Sequence, residues 1–531
     1  MSVKINHIKK GTQLLPFCIF LLGALLRIMY LGVVPGGIHQ DEAFVALNAF
    51  GLFHEGMDSG GNRFPIYMSS WGDGQSAMYI WLLTPLLALN NGIPTLFLTR
   101  LPQVIISLLT LWCVYRLIKQ CFGDIPAIWM LFILSICPWH IMMSRWGLDA
   151  NMAPGFLMFA LYFFIRGLEN KHMLPLAGLF YGLSLYCYAV IWPIVPVILL
   201  IQILYGLYHK KLSINRWSLF SAIIVFLLAL PLLLFLLINQ GILPEIRLPF
   251  MTIPKTLGYR GAEVATSLTT IAANLKNSLR LFISQDTGSP WDVIQPWGLF
   301  YDLGRIFIVI GVISLLIRLF IAFLHKKFAY EFFIFTQLLG GGIICLLVSV
   351  NVHQLNALFI PLVLCEAYGI WQTGLLLKKF NEHLTLAYNG VVAGISLICL
   401  FFFQKDYYTD YKNLVNAYFA IGMEECIDHA LESCETMNID TITVEKGAQW
   451  PRILLYTETL PSQYLSTVEY DVAPAPSSFT TANGIHINTR INYDNINTES
   501  IYIIYFPDAP LFENNFTLTQ FYDWYVAVPN N

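Results

Sequence analysis

The sequence predicts an all-α polytopic membrane protein with a small α/β domain at its C-terminal end. Three observations predict it: a scarcity of charge, a recurrence of apolar runs long enough to cross a bilayer, and the distribution of Lys and Arg between those runs. Of 531 residues, 56% are hydrophobic and 12% charged, whereas soluble globular chains carry about 25% charged residues. The net charge of -3 gives no footing for nucleic acid as a partner. The ten cysteines show no metal-ligand spacing. Most lie in or beside apolar segments and read as small core residues. Cys426 and Cys434 share one helical stretch, and eight positions along a helix place their Cα atoms roughly 12 Å apart, beyond disulfide reach.

Roughly 20 apolar residues cross a bilayer as a helix. About eleven segments qualify, starting near residues 13, 100, 125, 152, 173, 190, 217, 301, 329, 356 and 385. The run after Lys9 and Lys10 is longer than a signal-peptide core and is read as a retained first span. Orientation follows from the flanking cations. Lys4, Lys9 and Lys10; Arg116 and Lys119; Arg166 and Lys171; Lys210, Lys211 and Arg216; Lys326 and Lys327; and Lys378 and Lys379 all fall on one side when eleven spans are drawn. That side is expected to be the cytoplasm, with the N-terminus inside. Residues 77–89 are short for a span and are expected to lie as a helix at the outer membrane interface, with Tyr79 and Trp81 as interfacial aromatics. Two large outward loops follow, about 35–100 and 239–301. The division expected is a transmembrane domain over 1–404 and an extracytoplasmic α/β domain over 405–531. The latter shows a helix-like stretch at 414–437 and strand-like runs at 441–444, 453–456, 485–489, 501–506 and 525–528.

The first outward loop opens on Gly36-Gly37-Ile38-His39-Gln40-Asp41-Glu42-Ala43. Alternating Ala, Leu and Phe predict a helix through Phe53, with Asp41 and Glu42 in its first turn, where the helix dipole stabilises carboxylates. An acid pair there is also an ordinary N-terminal cap. Its chemical reading is a membrane-level carboxylate that accepts a proton from an acceptor group, or holds a divalent cation against a phosphate leaving group. Other polar residues gather on the same side: Asp58, Arg63, Trp71, Asp73 and Gln75; Arg100; His140, Arg145 and Asp149; Arg247, Lys255, Arg260, Lys276, Arg280, Asp286 and Asp292; and His353. Cations among them offer contacts for a lipid-linked phosphate, although a lone interfacial Arg or Lys is also explained by snorkelling. The four-residue spacing of Arg145 and Asp149 predicts a shared helix face. Arg27 and Glu366 fall inside spans, where charge marks a functional or pairing role. Arg27 is close enough to the outer end to reach the interface.

The order of these pieces resembles the GT-C superfamily of integral-membrane glycosyltransferases. It looks most like the bacterial family 39 members, relatives of the protein O-mannosyltransferases and the lipid A aminoarabinose transferase. Asp41-Glu42-Ala43 matches the signature acid pair. Trp71-Gly72-Asp73-Gly74-Gln75, followed by Tyr79-Ile80-Trp81-Leu82-Leu83, resembles the second juxtamembrane helix. Arg100-Leu101-Pro102, Ser144-Arg145-Trp146-Gly147-Leu148-Asp149 and Asn351-Val352-His353-Gln354-Leu355-Asn356 resemble later family turns. The likeness covers about residues 10–405 and implies transfer of a sugar from a polyprenyl phosphate or pyrophosphate to an extracytoplasmic lipid, polymer or protein. It carries Asp41 over as the catalytic acid/base, with Glu42 in support. It implies substrate-binding roles for Arg145, Asp149, Arg100, Trp71, Asp73, Tyr79, Arg260 and His353. A metal, if any, would be a divalent cation such as Mg or Mn on Asp41, Glu42 and Asp149. His39-Gln40 before the acids, and Gln354 where related sequences often have Arg, are departures that bear on how the donor phosphate is held. The alternative class is a membrane transporter or lipid flippase. It calls for symmetric halves and helices interrupted at mid-membrane, and no such halves are visible in the sequence.

Overall fold

The computed structural model describes residues 14–70, 74–259, 264–445, 449–472 and 475–530. The apolar runs are helices: α1 (Leu14–Ile28), α2 (Gln40–Glu55), α3 (Met78–Leu86), α4 (Leu96–Phe122), α5 (Asp124–Ile136), α6 (Pro138–Ser144), α7 (Ala153–Glu169), α8 (Leu174–Ser184), α9 (Ile194–Tyr208), α10 (Arg216–Asn239), α11 (Leu268–Ser284), α12 (Asp302–Leu324), α13 (Glu331–Leu347), α14 (Asn356–Lys378) and α15 (Glu382–Tyr408). Among the described residues six helices are long and apolar enough to cross a membrane: Leu96–Phe122, Asp149–Glu169, Arg216–Asn239, Asp302–Leu324, Asn356–Lys378 and Glu382–Leu414. The pair α5 and α6, bent by 59°, makes a seventh if taken as one broken span. α1, α9 and α13 are shorter apolar helices.

Small residues set the closest crossings. At Gly311 of α12 a Cβ would lie 1.8 Å from the Cys365 carbonyl oxygen of α14, and at Gly369 of α14 a Cβ would lie 2.2 Å from that of Phe307. Backbones this close are the packing that small residues permit between membrane helices.

The break between α5 and α6 has a physical cause in the chain. Pro138 lacks the N–H that would continue α5, so carbonyls near Ile136 lose their helical donors. Arg27 of α1 supplies donors instead. Its Nη1 meets the Ser135 oxygen at 3.0 Å and its Nη2 the Leu134 oxygen at 3.0 Å, and Nη2 also lies 2.6 Å from His140 Nδ1. The side chain is 0% exposed. Arg27 is thus a buried helix-break cap, and the expectation that it reaches the interface is corrected.

Residues 410–530 continue through α16 (Asp410–Leu414), α17 (Met423–Met437), α18 (Trp450–Tyr456) and α19 (Pro461–Leu465). Two short hairpins in the bundle's loops pair β1 (Tyr67–Met68) with β2 (Gln75–Ser76), and β3 (Ile246–Leu248) with β4 (Met251–Ile253). The C-terminal sheet has seven strands: β5 (Thr441–Val444), β6 (Glu469–Val472), β7 (Ala475–Thr480), β8 (His486–Asn488), β9 (Ile501–Tyr505), β10 (Phe516–Phe521) and β11 (Trp524–Pro529). Their order is β10-β11-β9-β5-β8-β7-β6, with β5 parallel to β8 and β9 and the remaining pairs antiparallel. α17 lays Cys426, Ile427, Ala430 and Cys434, one helical stripe, against the sheet. Residues 453–456, expected to be a strand, are the last turn of α18. A short apolar run does not declare its period; Pro451 at the helix start and burial against α2 decide for helix.

Candidate active site

Helix α2 opens with a capping box. The His39 side chain accepts the Asp41 N–H, and the Glu42 carboxylate accepts the His39 N–H at 3.2 Å. The two acids of the first turn then part company. Glu42 is 0% exposed. Its Oε1 takes Arg100 Nε at 2.9 Å and the Gly147 N–H at 2.8 Å, and its Oε2 takes Arg100 Nη2 at 3.0 Å. Burial pushes this carboxyl up, but the Arg100 charge and its forked hydrogen bonds outweigh that and hold it below the usual range. Asp41 keeps 18% of its side chain exposed, with Oδ2 3.6 Å from His39 Nδ1. Burial pushes His39 below its ordinary value against the pull of Asp41, so at neutral pH the ring is uncharged. Nδ1 is its acceptor nitrogen, and the 3.6 Å contact is no ion pair.

The three buried arginines of the helical bundle, Arg27, Arg100 and Arg145, are committed to the protein itself. Arg100 adds to its Glu42 fork the carbonyls of Leu31 (3.2 Å), Pro35 (2.7 Å) and Gly37 (3.0 Å). Arg145 donates from Nη1 to Leu26, Arg27 and Met29, from Nη2 to Tyr30 and Val34, and from Nε to the Tyr407 hydroxyl. It bonds the last carbonyls of α1, Leu26 and Arg27, and those of the turn that follows, at the end of the helix dipole that favours a cation. Arg27 holds the α5–α6 break. Together they pin the chain leading into α2.

Arg145 and Asp149 do not share a helix face. Arg145 is the C-cap of α6, and a 3-10 turn begins at Asp149. Asp149 turns the other way: Oδ2 takes the Ser76 N–H and Oδ1 the Ala150 N–H, both at 2.8 Å. Gly147 between them touches the acid site, since a Cβ there would lie 3.0 Å from the Thr99 carbonyl and 3.4 Å from Glu42 Oε1. Tyr79 is buried and donates to the Thr99 carbonyl at 2.8 Å. His353 Nε2 lies 2.9 Å from Asp292 Oδ1, and its ring packs edge-on to Trp146 at 4.7 Å. Trp146 packs in turn against His39 at 5.0 Å and Phe419 at 5.7 Å. Trp71, Asp73 and Arg260 lie outside the described residues.

The acids offered as metal ligands do not form a ligand set. Glu42 is taken by Arg100, and Asp149 accepts two backbone N–H groups. Among the described residues no three His, Cys, Asp or Glu side chains gather in a metal-holding cluster. No step below runs through a metal.

The C-terminal region closes the site, and nothing in its sequence pattern announced this. Phe419 packs its ring on His39 at 5.5 Å and lies under the Arg100 guanidinium at 5.7 Å. Its carbonyl oxygen would be 2.2 Å from a Cβ at Gly37, whose φ of +67° also requires glycine. α18 packs on α2, with Leu455 among Ile38, Ala43 and Ala46, and Trp450 edge-on to Phe44 at 6.1 Å. From α18, Arg452, 2% exposed, donates through Nε to the Ile38 carbonyl at 2.9 Å and through Nη1 to Gln449.

Residues 75–235 match the family model described as dolichyl-phosphate-mannose-protein mannosyltransferase. The whole chain superposes on ArnT from Cupriavidus metallidurans bound to undecaprenyl phosphate, with TM-score 0.56, 10% identity and 98% of each chain covered. The chain shares the fold of that structure. A second structure, the archaeal oligosaccharyltransferase AglB from Archaeoglobus fulgidus in complex with an inhibitory peptide and a dolichol-phosphate, matches at TM-score 0.52 and 10% identity, over 84% of this chain and 64% of that one. No curated protein sequence matches the chain. Of the adjacent acids, the partly exposed one is the first, Asp41, and the second, Glu42, is a structural anchor.

Proposed function

We propose that the protein transfers a sugar from a polyprenyl-phosphate-type carrier to an acceptor on the extracytoplasmic side, by direct displacement with Asp41 as the base. One observation carries this reading: of two adjacent carboxylates, Glu42 has both oxygens taken by Arg100, while Asp41 keeps part of its side chain open at the N-terminus of α2. Asp41 accepts the proton of the attacking hydroxyl or amine as its bond to the sugar forms, and the carrier phosphate leaves with the electron pair of the broken bond. Neutral His39 beside it adds no second negative charge. The ArnT and AglB structures, which hold undecaprenyl phosphate and dolichol-phosphate, support a lipid-linked donor. Within the same reading the chain crosses the membrane about eleven times, with its N-terminus in the cytoplasm. The loop at 35–100 and the domain at 405–531 then face outward, as the grouping of cations on one side implies.

The deciding experiment is Asp41→Asn in purified protein given a polyprenyl-phosphate sugar and an envelope extract as acceptor. The amide keeps the size and can still cap a helix, but takes up no proton at neutral pH. Transfer falls by at least about a hundredfold while the protein inserts and melts as before. Near-normal transfer by a folded Asp41→Asn protein removes Asp41 from the chemistry.

A further inference from the structure

A phosphate held next to Asp41 needs a cation, and among the described residues the buried arginines of the bundle are already committed. Arg100 and Arg145 spend their donors on Glu42, Tyr407 and eight backbone carbonyls. Lys255, Lys276 and Arg280 are exposed and hold no hydrogen-bonded position at the site. Arg452 differs. Its Nε is tied to the Ile38 carbonyl, three positions before Asp41, and its Nη1 to Gln449, whereas its Nη2 makes no hydrogen bond among the described residues. The side chain is anchored at one edge of the fork and carries an unspent donor at the other. Burial lowers its pKa only to about 10, and Asp41 and Glu42 oppose the drop, so it stays charged at neutral pH. The 420 Å³ cavity at the same junction is lined by Glu424, Glu425 and Glu458 and not by Arg452. Its three carboxylates repel a phosphate.

We infer that Arg452, delivered by the C-terminal domain and anchored on Ile38, binds the phosphate of the lipid-linked donor beside Asp41. This rests on the proposed function. It makes the C-terminal domain part of the donor site, with a charge-assisted contact from Nη2 as its contribution.

The test compares two probes on full-length protein in detergent: a polyprenyl phosphate and the matching polyprenol, which differ only in the headgroup. Wild type binds the phosphate more tightly. Arg452→Gln loses that preference by about 10- to 100-fold, the range for a charge-assisted hydrogen bond, while its affinity for polyprenol is unchanged. Arg452→Lys recovers part of the preference. An equal loss for both probes would mean that Arg452 serves only to seat the domain, and would overturn the inference. Leu455→Ala, which loosens the same contact without removing charge, calibrates that case. A preference that survives intact in Arg452→Gln also overturns it and leaves the proposed function standing. Wild type that neither prefers the phosphate nor transfers sugar overturns both. Inorganic phosphate that competes as well as the lipid would show a free-anion site and defeat the assignment to a lipid headgroup.

Discussion

Glu42 and Arg100 form a two-point ion pair, 2.9 and 3.0 Å, with both side chains fully buried. The pair joins the first turn of α2 to the first turn of α4 and leaves neither group free for a substrate. Breaking a buried pair from one side strands the other charge, at a cost of about 3–5 kcal/mol. Glu42→Gln therefore loses stability of that order, seen as a lower melting temperature in detergent, whereas Asp41→Asn does not. Because the folded pKa of Glu42 lies below its unfolded value, the pair's contribution is complete above the ordinary carboxylate range. It is lost as pH falls beneath that range.

Arg145 answers to a different readout. Its fork closes carbonyls from Leu26 to Val34, and Lys, a point donor, cannot span them. Arg145→Lys should cost about 2–4 kcal/mol through the orphaned carbonyls and speed proteolysis between α1 and α2. An unchanged digestion pattern with an unchanged melt would rule out the capping role.

Asp58 provides a pH test away from the chemistry. It is 2% exposed and accepts the N–H groups of Gly60 and Asn62. Burial lifts its carboxyl from 3.8 to about 6 despite those bonds. A raised folded pKa means stability that is full below the unfolded value and lost as pH rises through about 6. Asp58→Asn keeps an acceptor without the charge and should gain about 1–3 kcal/mol at pH 7, the gain vanishing near pH 4. Melting curves of the two proteins across that range decide it; a gain that does not depend on pH would refute the assignment to the carboxyl.

At the crossing of α12 and α14 there is no room for a methyl group. Gly311→Ala places a carbon where the Cys365 carbonyl already stands, and overpacking of this kind costs about 1–3 kcal/mol or more. The expected sign is a drop in yield and melting temperature with donor affinity retained in the protein that folds. Normal stability would mean that the helices part freely there.

The helices were legible because apolar runs of bilayer length have few other outcomes, and the helix at Met78–Leu86 was legible as one too short to cross a bilayer. The α2 acids declared themselves by position. The fate of the arginines did not, because a guanidinium's partners are backbone carbonyls, which every residue carries and no pattern marks. Spacing alone joined Arg145 to Asp149; the break at Gly147, needed for its N–H to reach Glu42, separates them. α18 was hidden in a run of apolar residues that fits a strand as well as a helix. Arg452 was invisible for a related reason: its partner Ile38 is 414 positions away.

That distance has a consequence in time. A ribosome releases the chain in order, so the acid at Asp41 enters the membrane long before the guanidinium that faces it has been made. Through most of its synthesis the bundle carries an unfinished mouth, open where Phe419 and α18 will later sit. A message cut short after the last apolar helix would yield a bundle in which Ile38 lacks its Arg452 donor and His39 its Phe419 ring. The contacts that cover the start of α2 are thus made only after the helical bundle has been synthesised, an order written into the residues themselves.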